Sequence, residues 1–265
     1  MFESTFERQV NQFLLKSCTI VIPAFNEESR ISNALNSVCD FISTNNLPWE
    51  VIVAVDGNDH TNDIVEKYHN YYPFVFSNKS SGRNGMGNAI RRGINFSKGE
   101  FIIIMDADGS AKLENIVKEL NRLETYDVIN FDRYSSSYNY IPIKRRLASR
   151  GFNLILKVLF GIGIKDTQCG YKIMKRNVAI SVINKITYSN AFFLTAFFLH
   201  SERMNITSIE VPLEYRHTDG SKFNVVMTSI SYLVSITAFI VKNSKLYKYT
   251  PSSLKNLYYR KFRYL

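Results

Sequence analysis

Apolar residues along the first half of this chain follow two alternating periods. Short, mostly apolar runs at Cys18 to Ala24, Val51 to Val55, Phe74 to Phe76, Phe101 to Met105 and Val128 to Phe131 read as buried strands. Between them lie helical patterns. Glu28 to Ser43 places Ile31, Leu35, Val38 and Ile42 on one face, and Thr61 to Tyr72, Asn88 to Phe96 and Leu113 to Leu123 follow suit. Strand–helix alternation predicts an α/β fold with a mostly parallel sheet and helices on both faces.

The second half changes character. Ile143 to Phe160 reads as a helix that starts basic (Lys144, Arg145, Arg146, Arg150) and turns apolar. Cys169 to Lys175 returns to the sheet, Ala191 to Leu199 is a strongly apolar helix, and Ile206 to Tyr215 is a strand. Val225 to Val241 has no charged residue over 17 positions, the lower length limit for a bilayer span. Asn224, Thr228, Ser231 and Ser235 share one helical stripe, continued by Lys242. That stripe favours an amphipathic helix, at a membrane interface or packed on the domain, over a spanning one. From Lys242 to Leu265 there are seven basic residues, no acidic ones and several tyrosines. Each basic residue near an acidic lipid surface contributes about 1 kcal/mol, and tyrosine prefers the membrane interface.

The bulk numbers add a constraint on partners. A chain of 265 residues with 45% hydrophobic content suits one large domain with a full core. Its net charge of +10, from 33 basic and 23 acidic residues, favours anionic partners. Cys18, Cys39 and Cys169 are far apart, and the four histidines lack metal-ligand spacing, so neither a disulfide framework nor a zinc site is expected. A reducing cytosolic setting is the simplest expectation. The N-terminus, with Glu3 and Glu7, does not look like a signal peptide.

Candidate chemistry gathers where strands end. The apolar run from Phe101 stops at Asp106-Ala-Asp-Gly109. Side chains two apart on a strand point the same way, so Asp106 and Asp108 can share one hard cation, and a hard cation can hold a diphosphate. Ligands of open α/β sheets bind beyond such strand ends. Pro23, without an N–H, suits the exit of the first strand, and Asn26 suits the cap of the helix after it. Asp56, in Val55-Asp-Gly-Asn-Asp-His-Thr61, falls on the same rim as Glu27 and can accept hydrogen bonds from a base or ribose. Gly82-Arg-Asn-Gly-Met-Gly-Asn88 opens a helix, as loops that offer backbone N–H groups to phosphate do, but it is neither a Walker loop nor a dinucleotide fingerprint.

Taken in order, Pro-x-x-Asn-Glu, Asp-Gly, G-x-G-Asn-Ala-x-x-x-Gly and Asp-x-Asp resemble the family 2 glycosyltransferases over roughly Thr19 to Lys222. Asp166-Thr-Gln-Cys-Gly-Tyr-Lys172, Glu210-Val-Pro-Leu and Gly220-Ser-Lys222 look like its polyprenyl-phosphate branch, which holds dolichyl-phosphate mannose synthases and glucosyltransferases. The resemblance implies a single nucleotide-sugar-binding domain of the GT-A type over residues 1–223, a mostly parallel mixed sheet flanked by helices, with the amphipathic membrane-associated helix and basic aromatic tail at 224–265. It implies an inverting transfer of mannose or glucose from GDP-mannose or UDP-glucose to dolichyl or another polyprenyl phosphate, on the cytoplasmic face of a membrane. By position, Pro23, Phe25, Glu27, Asp56, Asp106, Ala107 and Asp108 would hold the nucleotide sugar. Asp106 and Asp108 would bind Mg²⁺ or Mn²⁺. Arg133, Arg145, Ser149, Lys172, Ser221 and Lys222 would meet the acceptor phosphate, and Asp106, Asp108, Arg133 and Arg145 form the catalytic set. The chain departs from the pattern at Phe25 (usually tyrosine), Val55 (usually acidic), Met86 (usually lysine) and Ser110 (often glutamine).

Two other functions use the same residues differently. A transferase acting on a soluble or surface polysaccharide needs a general base and an open sugar groove, and has no use for the basic tail. A nucleic-acid-binding protein uses the basic charge, but leaves Glu27, Asp56, Asp106 and Asp108 without a purpose, since acids on a binding rim repel phosphate.

Overall fold

A computed structural model describes residues 13–136, 141–215 and 225–244, with isolated positions at 248, 249, 251 and 253; the side chains of 225–229 are outside the description. Seven strands form one sheet: β1 (Cys18–Phe25), β2 (Glu50–Asp56), β3 (Val75–Ser77), β4 (Phe101–Ile104), β5 (Val128–Asp132), β6 (Lys172–Lys175) and β7 (Ser208–Pro212), in the order β3-β2-β1-β4-β6-β5-β7. Only the pairings of β6, with β4 and with β5, are antiparallel. The parallel pairs are β1 with β2 and β4, β2 with β3, and β5 with β7. The chain moves outward from β1 to β3, then crosses back to place β4 on the other side of β1. That reversal opens a crevice beyond the carboxyl ends of β1 and β4.

Eight helices flank the sheet among the described residues: α1 (Ile31–Thr44), α2 (Thr61–Tyr71), α3 (Met86–Phe96), α4 (Leu113–Val117), α5 (Ile143–Phe160), α6 (Arg176–Ile183), α7 (Phe192–Arg203) and α8 (Val225–Lys242). Strand residues alternate between two cores. Ile20, Ile22 and Ile103 join Leu35, Val38 and Leu113 on the face covered by α1, α2 and α4. Val21, Ile102 and Ile104 join Ile90, Phe193 and Phe239 on the face covered by α3 and α5–α8. α7 is apolar nearly all round because every residue from Phe192 to Leu199 is buried.

The elements differ from expectation at three places. α1 begins at Ile31, not Glu28, because Asn26 does not cap it: Asn26 is left-handed (φ 53°) and its Oδ1 accepts the Asn58 N–H at 3.1 Å. Leu113 to Leu123 splits into α4 and a 3-10 turn at Leu120–Glu124, where the apolar spacing tightens to three (Val117, Leu120, Leu123) and suits three residues per turn. The short α6 was not foreseen. Of the two placements the sequence left open for α8, its packing on the domain is seen: Ser231 and Ser235 are buried together with Tyr232, Ile236 and Phe239. Asn224 lies outside the described residues.

Candidate active site

The acid pair follows β4 directly. Met105 N–H still bonds to Val21 O of β1 at 3.1 Å, and beyond it the chain turns out of the sheet. Ser110 N–H donates to Asp108 Oδ1 at 3.0 Å, fixing one carboxylate in a tight turn that Gly109 completes with φ 64°. Behind the other stands Gly170. A Cβ there would lie 2.0 Å from Asp106 Oδ1 and 2.5 Å from Oδ2, so the bare backbone of the loop before β6 forms the wall of the Asp106 site. Tyr171 anchors that wall. Its fully buried hydroxyl pairs with Ser110 Oγ at 3.0 Å and accepts the Ala111 N–H at 3.1 Å.

Burial first, then the neighbouring Asp108, pushes the Asp106 carboxyl from 3.8 up to about 6, against the opposing pull of Arg133, Lys172 and Arg145. Asp106 therefore lies near a second acid and three cations, yet makes no ion pair among the described residues. No third protein ligand completes a metal cluster among those residues. Two carboxylates at a crevice, one opposed by burial and by its neighbour, fit a hard cation whose remaining positions are filled by ligand or water oxygens. Asp106 and Asp108 would hold it.

The cations differ in kind. Arg133 leaves β5 and forms a buried bidentate pair with Asp166, Nε to Oδ2 at 2.8 Å and Nη2 to Oδ1 at 2.9 Å. Arg145 sits in the first turn of α5, half-buried, with no carboxylate partner among the described residues. Tyr134 lies within electrostatic reach of both arginines and bonds the Ser149 side chain; burial, chiefly, raises its phenol. Ser149 also lies within 3.3 Å of Asn153 Nδ2. Lys172 is placed beneath the site and not on its surface. Its Nζ donates to Asn130 Oδ1 at 2.8 Å and to the carbonyls of Cys169 and Thr167, and burial pulls the ammonium down to about 8. Ser221 and Lys222 lie outside the described residues.

On the β1–β2 side the rim is held by polar ties. Pro23 and Phe25 are half-buried at the end of β1, where Phe25 pairs with Asp56. The Arg83 guanidinium lies 5.0 Å from the Phe25 ring centre. Glu27 takes a bidentate pair from Arg30 at 2.7 Å. Asp56 is almost fully buried. It accepts the Asn84 N–H at 2.9 Å and faces Arg92 Nη1 at 2.9 Å, an ion pair at an angle too poor for a hydrogen bond. The glycine-rich loop also turns inward. Gly87 N–H bonds to Ser189 O at 2.8 Å, and a Cβ on Gly87 or Gly85 would strike Phe193 Cβ or Ser189 O at 2.4 Å. Those two glycines serve close packing.

Gly170, Tyr171, Asp166, Tyr134 and Arg92 are site residues that sequence reasoning left without roles. The signal for Gly170 and Asp166 was present in the Asp-Thr-Gln-Cys-Gly run, but which side chains face one another across β4, β5 and β6 depends on the antiparallel return of β6.

Comparison with known proteins gives the family and the fold. The chain is 27% identical to a dolichyl-phosphate beta-glucosyltransferase of Trichomonas vaginalis over 78% of this chain and 68% of that one. It is 28% identical to the dolichyl-phosphate beta-glucosyltransferase of Homo sapiens over 78% and 69%. Its fold matches glucosyl-3-phosphoglycerate synthase from Mycobacterium tuberculosis, solved with Mn²⁺, UDP-glucose and phosphoglyceric acid, at a TM-score of 0.59 and 15% identity, over 87% of this chain and 82% of that one. The seven-stranded mixed sheet is thus a GT-A-like fold. The family model for glycosyl transferase family 2 matches residues 19–182, more than half of the sequence and the whole of the acid-pair crevice, and the chain belongs to that family.

Proposed function

We propose that this protein transfers glucose from UDP-glucose to dolichyl phosphate or a related polyprenyl phosphate. One observation carries the reading: Asp106 and Asp108 lie together at the crevice, within electrostatic reach of Arg133 and Arg145. Acids that hold a cation for a diphosphate and arginines that take a phosphate are what a transfer between two anions requires. The relatives named above support glucose and a dolichyl acceptor.

A bound divalent cation supplies Lewis-acid neutralisation of the departing diphosphate. The chain's own residues do the rest. Gly170 and Tyr171 keep the acids in place. Arg145 holds the acceptor phosphate, whose second pKa of about 6 leaves it mostly dianionic at neutral pH. A phosphate oxygen bonds to the anomeric carbon as the bond from that carbon to the diphosphate breaks, with inversion. No proton has to leave the nucleophile, so no general base is needed. Positioning is then the main task.

The test is transfer of labelled glucose or mannose from UDP-glucose or GDP-mannose to dolichyl phosphate with Mn²⁺, read as label extracted into organic solvent. Glucose should enter the lipid phase. Chelation or Asp108→Asn should abolish it, and Arg145→Ala should raise KM for the lipid by about tenfold or more without weakening UDP binding. No lipid-phase label with any donor, or full activity without divalent metal, overturns the reading.

A further inference from the structure

Two helices carry apolar residues on the outside as well as the inside. The inward side of α8 holds Ser231 and Ser235, 3.3 and 3.4 Å from the Asn190 side-chain amide, with Tyr232, Ile236 and Phe239 buried beside them. Its outward side presents Ile230, Leu233 and Ile240, exposed by 45%, 49% and 42%. A surface helix normally turns charged residues to water; Val225 to Val241 contains none. α5 is likewise apolar on both sides. Phe152, Asn153 and Leu156 face inward, while Ile143, Leu147, Leu154 and Val158 are exposed by 74%, 63%, 61% and 75%. These four fall on one stripe, because their separations are all close to whole turns.

The helices lie side by side. The rings of Phe152 and Tyr232 are 5.2 Å apart, and those of Phe160 and Phe239 are 5.7 Å apart. The second contact comes about two turns after the first on both helices, so they run in the same direction. Their outward ridges form one apolar face, of a kind that soluble monomers rarely leave uncovered. Its border is basic: Lys144, Arg146, Arg150 and Lys157 flank the apolar stripe of α5 at helical spacing, and α5 carries no acid. No helix among the described residues is long and apolar enough to cross a membrane.

The geometry points to the α5–α8 face as a docking surface that lies on an anionic lipid bilayer, with apolar side chains entering the acyl boundary and basic ones at the head groups. Charge decides against a second copy of the chain as the occupant, since a two-fold contact would set this basic border against itself. It matches acidic lipid instead. Docking also places the first turn of α5, with Arg145, at head-group level, where a lipid phosphate resides. That consequence rests on the function proposed above; the docking itself does not.

The experiment is flotation of the full chain with vesicles of phosphatidylcholine alone or mixed with phosphatidylserine, in the absence of any sugar donor. The chain should float with the mixed vesicles and far less with the neutral ones. Leu154→Glu and Leu233→Glu should each reduce the bound fraction about tenfold, with unfolding temperature and UDP binding unchanged. Leu154→Ser and Leu233→Ser provide milder versions should a glutamate disturb folding. Three results overturn the inference: no flotation with either vesicle, flotation indifferent to the variants, or a lipid-free dimer in sedimentation that the same variants dissolve. A chain that fails to transfer sugar but floats as described would sink the proposed function and leave this surface standing.

Discussion

Asp106 is held between burial and an acidic neighbour on one side and three cations on the other, and the balance leaves its carboxyl at about 6, above the usual 3.8. The folded protein therefore holds that proton more tightly than the unfolded chain. The resulting stability is present in full below 3.8 and lost as pH rises through about 6. Metal-free protein should lose unfolding temperature between pH 5 and 7, and Asp106→Asn should remove that part of the loss; calorimetry at both pH values decides it. A cation competes with the same proton, so Mn²⁺ affinity should fall about tenfold per pH unit below about 6. Gly170 is the companion residue. Gly170→Ala puts a methyl group where the Asp106 carboxylate now stands, and Mn²⁺ affinity should drop about 10–100-fold, more than unfolding temperature suffers. The pairing of the two acids was legible from sequence, since side chains two apart at a strand end point the same way. Their wall was not, because a glycine shows what it excludes only once its neighbour across the sheet is known.

Elements show where local pattern sufficed and where tertiary packing took over. The strands that contain Val51, Phe101 and Val128 were readable because each carries a buried, mostly apolar run. The start of α1 was not, because Asn26 serves the neighbouring Asp56–Gly57 turn and leaves its own helix uncapped. The glycine-rich stretch gave only a weak phosphate-loop signal, and the helix it opens shows a packing role: α3 sits so close to β1 that a Cβ on Gly93 would lie 2.3 Å from Val21 Cγ1. Gly93→Ala should cost about 1–3 kcal/mol by overpacking, measured by denaturant unfolding. A second tie joins the exit of β5 to the loop before β6, the buried Arg133–Asp166 pair. Asp166→Asn leaves an arginine buried without its counter-charge and should cost about 3–5 kcal/mol. An unfolding midpoint that does not move would show that Arg133 finds another partner.

At the scale of the whole molecule, the sheet order places β1 and β4 side by side with their carboxyl ends toward one crevice, and the acids, arginines and basic helix all gather there. The net charge of +10 announced anionic partners without saying which; on the two proposals made above, Arg145 at the crevice and the basic border of α5 would give that charge two separate uses. The reversal at β6 was the part of the topology hidden from sequence, since apolar periodicity carries no strand direction. The central claim is that Asp106 and Asp108 bind a nucleotide diphosphate through a shared cation. Calorimetric titration of UDP into the purified protein, with and without Mn²⁺, tests it directly. UDP affinity should rise about tenfold or more when Mn²⁺ is present, and Asp108→Asn should erase that gain while leaving the metal-independent affinity in place. Equal UDP affinity with and without Mn²⁺, or a gain that survives Asp108→Asn, would contradict it.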